Sequence, residues 1–372
     1  MTSRALLAVV VPLLLCASAA AVAPARPSVR EAAPMGVARA GHQATRLQDG
    51  TVLFTGGCAA EGCAAVQHSA EVYDPQRGRY AAVAGMREPR VSHTATRLPD
   101  GRVLVAGGWT GSATTRSAEL YDPATRQFQA APGLTVPRMD ATATPLTSGG
   151  VLIVGGASQT NVPTDVAELF HPARRIVEPA GTLRTARVHH AAARLPDGRV
   201  LVVGGLVSRG QATATAEVYD PETGVFSPAG PLGQPRCKHA ALPLADGRVM
   251  VLAGSSDCDD RRRLATTEVF DPATGTFSPG PALADARYKV AGAAAVLDDG
   301  TVVIAGDAHD VEYWRPGMAS FAQAEGPVGA RLAFSSATPL AGNQLLVAGG
   351  YDDRITPTAR AWHLSAPSAP ER

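Results

Sequence analysis

Two residues after each of seven recurrent arginines, the chain carries Gly41, Ser92, Asp140, His189, Lys238, Lys289 and Ala333. Four successive members of this series are titratable: Asp140, His189, Lys238 and Lys289. Brought together, they would form a polar pocket suited to an anionic or polyhydroxyl ligand. The amines supply charge, and every member supplies hydrogen bonds. A solvated rim is the plainer alternative. Lys238 and Lys289 are the chain's only lysines among 34 basic residues, so its general preference for arginine does not explain them. The sixth unit has two extra residues before Leu297, which puts the register of Lys289 in question.

Further candidates surround this series. Trp109 and Tyr351 follow glycine pairs and are expected as exposed binding anchors. His309 sits in a very short loop, Ala308 to Val311, expected to leave a notch in the rim. His42, His93, His190 and His239 lie three residues after their arginines. They read as inner-strand histidines bonded to backbone, because a metal ring would need several to converge and three units lack one. The charged stretch from Ser255 to Arg263 has acids for calcium, but its three adjacent arginines favour self-neutralisation. No metal and no cofactor are expected. Cys58 with Cys63, and Cys237 with Cys258, lie close enough in the pattern to form two disulfides; the first would close a six-residue ring worth roughly 2 kcal/mol.

The elements that must position these residues repeat. The arginines are Arg39, Arg90, Arg138, Arg187, Arg236, Arg287 and Arg331, a period of roughly 49 residues. Each leads an alternating strand, a tight turn and a short apolar strand. A small pair follows: Gly56-Gly57, Gly107-Gly108, Gly155-Gly156, Gly204-Gly205, Gly254-Ser255, Gly306-Asp307 and Gly349-Gly350. Asp-Gly turns such as Asp49-Gly50 suit the positive φ angles of type I′ hairpins. A third strand then carries Tyr73, Tyr121, Phe170, Tyr219, Phe270, Trp314 or Trp362. In six units a bulky residue follows seven positions on, starting a fourth strand. Glu71, Glu119, Glu168, Glu217, Glu268 and Glu312 precede the aromatics and are expected to pair with the unit arginines, since either charge would be costly to bury alone. Arg360 takes that place in the seventh unit, so its pairing should differ.

Four antiparallel strands per unit predict an all-β, seven-bladed β-propeller. The seventh unit lacks a fourth strand, and residues 28–35 have the spacing of one, so they are expected to close the last blade and remove a sheet edge. An up-and-down meander puts the loops after the glycine pairs on the same face as the residues just after the arginines. Binding is usually built in such variable loops.

Arg-x-x-His, a double glycine, and a tyrosine followed seven residues on by a bulky aromatic resemble kelch repeats over residues 28–364. The resemblance implies a kelch-type propeller that binds other proteins. Galactose oxidase, a copper radical enzyme, also has such a propeller, with copper ligands in an Arg-x-Tyr-His context. The nearest match here, Arg187-Val-His189-His190, has His in the Tyr place. That family's radical tyrosine, thioether-linked to cysteine, sits two after an arginine; here Tyr288 and Cys237 each follow one directly. The copper-radical site is therefore not implied.

Residues 1–23 read as an export signal: Arg4, an apolar run from Ala5 to Leu15, then small residues. The domain division is 1–23 signal and 24–372 propeller. Export implies a secreted or periplasmic protein, with a lipid anchor at Cys16 as the alternative. Without Arg4, basic and acidic residues balance at 33 each, which argues against nucleic acid and anionic membrane as partners. No membrane span and a monomer are expected. The function that follows is a binding protein recognising a protein or glycan at the looped face. The alternatives are a carbohydrate-active enzyme of oxidase, epimerase or lactonase type at the same mouth, or a structural envelope or matrix component.

Overall fold

A computed structural model describes residues 25–159, 162–208 and 210–367. The expected export signal and Cys16 lie outside the described residues. Seven four-stranded antiparallel sheets stand in a ring, six of them each contributed by one unit and the seventh by the last unit with one N-terminal strand, and their innermost strands adjoin in sequence from the first blade round to the seventh and back. The chain is a seven-bladed β-propeller. The second strands, such as Val52–Thr55, Val103–Ala106 and Val200–Val203, are buried along their whole length. This is why they read as uninterrupted apolar runs rather than alternating ones.

The core is a set of seven layers, each between two adjacent blades. Leu53 and Val72 of the first blade pack with Val103, Tyr121 and Phe128 of the second, and the same pattern recurs around the ring. The two aromatics of a unit stand opposite each other on strands three and four: Tyr73 faces Tyr80, and Tyr219 faces Phe226. Their ring centroids are 4.7 and 4.8 Å apart, within the range of favourable aromatic pairs.

The last blade closes as the spacing predicted. Ser28–Ala32 pairs antiparallel with Ala361–Ser365, with Ser28 opposite Ser365 and Ala32 opposite Ala361. Both cysteine pairs are at bonding distance, with Cα atoms 4.9 Å apart for Cys58–Cys63 and 5.6 Å for Cys237–Cys258.

Three register readings are corrected. The small pair of the fifth unit is Ala253-Gly254, not Gly254-Ser255: Ala253 and Gly254 have φ of 60° and 92°, like Gly56 and Gly57 at 63° and 94°. The Asp-Gly turns are not type I′, since only their glycines have positive φ. The Gly50 N–H donates to the Leu47 carbonyl and the Leu47 N–H to that of Thr51, a type I turn with a glycine bulge. The Asp49 carboxylate accepts the Thr51 N–H and so favours this form.

The seventh unit is also displaced. The second residue of each small pair donates its N–H to the carbonyl of the next unit's arginine, and Asp307 donates to Leu332. Leu332, not Arg331, therefore holds the arginine place. Trp362 lies opposite Val347 as Glu71 lies opposite Phe54, so it holds the glutamate place rather than an aromatic one. The seventh blade thus replaces a buried ion pair by two buried apolar side chains.

Candidate functional site

Six arginine–glutamate pairs fix the chain just before the mouth residues, at N–O distances from 2.5 to 3.1 Å. Arg187 is typical. Its guanidinium donates to the carbonyls of Gly204 and Thr215 at 2.8 and 3.0 Å and to Glu217 at 2.8 Å. Glu217 also accepts the Arg184 N–H at 2.8 Å. Both charges are buried, and each finds several partners, which such burial requires. In the seventh blade Arg360 pairs instead with Glu31 of the closing strand at 3.1 Å, and Arg331 with Asp307 at 2.8 Å.

The histidines are also structural, but their partners differ from expectation. His42, His93 and His190 bond through Nε2 to hydroxyls of the preceding blade, Ser336, Thr55 and Thr142, at 2.9–3.0 Å. Among the described residues, no hydrogen-bond partner reaches either ring nitrogen of His239. Ala191 stands where the blade before offers Thr142, and Val203 where the first blade offers Thr55. Burial, reinforced by the neighbouring arginines, drives His42, His93 and His190 down to about 3.

Beyond the arginines, all seven blades turn inward through a left-handed residue. Gly41, Ser92, Asp140, His189, Lys238, Lys289 and Phe334 have φ from 50° to 65°. Lys289 is therefore in register despite the later insertion, and the seventh member is Phe334 rather than Ala333. Neighbours in this ring bond backbone to backbone: Asp140 N–H to the Ser92 carbonyl at 2.9 Å, Lys238 to His189 at 2.9 Å, and Gly41 to Phe334 at 3.0 Å. All seven line one cavity of about 330 Å³ at the channel mouth, the lower end of the range for small-molecule sites.

The titratable residues do converge. His189 Nδ1 lies 3.7 Å from Asp140 Oδ1. Burial lowers the His189 pKa, with Asp140 opposing and Lys238 reinforcing the shift. The Lys238 and Lys289 amines both stand 5.3–5.6 Å from the ring centroids of Tyr288 and Phe334, within cation–π reach. Burial lowers the Lys238 pKa, with Asp140 opposing.

The charged loop is self-neutralised as expected: Arg261 pairs with Asp259 at 2.9 Å and Arg263 with Asp260 at 3.4 Å. It also reaches the mouth. Asp260 lies 3.6 Å from Lys289 and 3.7 Å from Arg331. Asp307 accepts the Tyr288 N–H at 2.7 Å and lies 3.3 Å from Arg263. The Asp260–Arg331 contact thus bridges the fifth and seventh units across the short loop of the sixth, where a notch was expected. His309 stays exposed at the rim, 3.5 Å from Asp353, and does not line the cavity. The Tyr288 hydroxyl donates to the Cys258 carbonyl, and Cys237 is bonded to Cys258, so neither is placed for a thioether with the other.

Trp109 and Tyr351 are half-buried rather than exposed. With Phe334, Val91 and Met139 they wall an apolar hollow of about 310 Å³, which shares Gly41, Ser92 and Phe334 with the polar cavity. Sequence reasoning missed Phe334, Asp260 and Asp307. The N–H of the small pair's second residue could not be traced to Leu332 without knowing which carbonyl it meets.

A family model described as the Kelch motif matches residues 90–135 and 187–233, the second and fourth units. A search of curated proteins found no match. Two motif matches set in a closed ring of seven four-stranded blades make this chain a kelch-repeat β-propeller protein.

Proposed function

We propose that the protein is an exported binding protein that recognises a partner protein or glycan at its looped face. The observation that carries this reading is the apolar hollow walled by Trp109, Tyr351 and Phe334, open beside a mouth lined with charged side chains. Aromatic anchors next to polar groups are the composition of binding hot spots. The opposite face has short Asp-Gly turns whose side chains bond locally, such as Arg199 with Asp197. Two disulfides fit an oxidising compartment. Among the described residues no helix is long and apolar enough to cross a membrane.

The test is selection of binders from a displayed peptide library and a glycan array. Trp109→Ala and Tyr351→Ala are expected to weaken the selected binders at least tenfold, and Arg199→Ala on the opposite face to leave them unchanged. Binders insensitive to both mouth variants but lost in Arg199→Ala would overturn the reading.

A further inference from the structure

The mouth carries one more positive than negative charge, and the surplus has an address. Around it stand four cations, Lys238, Lys289, Arg263 and Arg331, and three carboxylates, Asp140, Asp260 and Asp307. Asp260 is shared among Lys289, Arg263 and Arg331, and Asp307 between Arg263 and Arg331. Lys238 alone has no carboxylate within the 4.0 Å ion-pair limit among the described residues. Its amine is held over the Tyr288 and Phe334 rings at the cavity wall. A half-buried amine without a counter-ion leaves its charge only partly compensated by solvent and π-faces.

Phe334 borders both spaces. Its ring faces both lysines, and the same side chain walls the apolar hollow with Trp109 and Tyr351. Gly41 and Ser92, the two smallest of the seven mouth residues, line both the polar cavity and the hollow. A ligand can therefore span both spaces without meeting a bulky barrier.

We propose that the mouth binds a carboxylate joined to an aromatic or branched apolar group, the carboxylate against Lys238 and the apolar part between Phe334, Trp109 and Tyr351. This rests on the looped-face reading and narrows it to a ligand chemistry. The carboxylate belongs either to a free aryl-alkanoate or to the end of a peptide chain. A neutral amide of the same shape leaves Lys238 without its counter-ion, so discrimination against it should be strong.

Titration calorimetry on the full chain tests this with four probes. These are 3-phenylpropionate, 3-phenylpropionamide, a hexapeptide ending in free phenylalanine, and the same peptide amidated. At least one free acid is expected to bind at least tenfold more tightly than its amide, and which of the two acids does so identifies the source. Lys238→Met should lose that preference and Lys238→Arg should keep it, with the melting temperatures of both variants showing that they fold. Equal binding of acids and amides, no binding of either acid, or an acid preference that survives Lys238→Met would overturn the site. Library binders lost in Trp109→Ala but indifferent to Lys238→Met would overturn the carboxylate site and leave the looped-face reading standing.

Discussion

Glu217 accepts from Arg187 and from the Arg184 backbone, and both side chains are buried. Removing one partner strands the other in a low-dielectric layer. Glu217→Ala should therefore cost about 3–5 kcal/mol of unfolding free energy. The exposed pair Arg248–Asp246 is shorter, at 2.6 Å, yet Arg248→Ala should change stability by about 1 kcal/mol or less. Denaturant titration of the two variants separates burial from distance as the source of strength. Leu332 and Trp362 show that this fold also closes a blade without the ion pair. A further residue-scale case is His239. Ala191→Thr would place a hydroxyl where Thr142 serves His190, and should add about 0.5–1.5 kcal/mol. A melting temperature equal to or below that of the parent would refute this account.

At the scale of elements, the strand Ser28–Ala32 decides whether the ring is closed. Without it Ala361–Ser365 becomes an exposed edge that can pair with another chain. A chain beginning after Ala32 is expected to melt lower and to run as aggregates or dimers on size exclusion. A monomer of parental stability would contradict this. This strand was legible in the sequence because Val29 to Met35 repeats the spacing of Tyr80 to Met86. The arginine–glutamate pairs were legible too, because six units each carry one such arginine and a glutamate two residues before the third-strand aromatic. What the sequence hid lies between units. The hydroxyls that meet His42, His93 and His190 come from the blade before, and no spacing inside a unit reports them. The seventh blade misled because an arginine stands one residue before Leu332 and a tryptophan two before Leu364. The residue types matched the pattern while the backbone register did not. Among the candidate site residues, Asp140, His189, Lys238 and Lys289 could be found as departures from a repeat. Phe334 required the register.

At the scale of the molecule, the neutral buried histidines link stability to pH. In the unfolded chain they titrate near 6.5, and in the fold His42, His93 and His190 resist protonation until about 3. As pH falls through that window the unfolded state takes up protons that the folded state refuses. Stability is thus full above about pH 6.5 and declines toward pH 3, by up to about 1.4 kcal/mol per pH unit for each histidine. Melting temperatures from pH 7 to 4.5 should trace this slope, and His42→Gln should flatten it by one proton's share. A flat profile over that range would mean that the histidines are protonated within the fold.

Arg315 donates to the carbonyls of both Ala25 and Pro367, at 3.4 and 3.2 Å. The two ends of the described chain thus meet at a single guanidinium. A ring sewn this way has no privileged starting point. Joining the ends through a short linker and cutting instead between two other blades should yield a circular permutant with the same seven layers. In the natural order the strand Ser28–Ala32 is made long before its partner Ala361–Ser365 and must wait for it unpaired. In such a permutant every blade would be completed as its own four strands emerge.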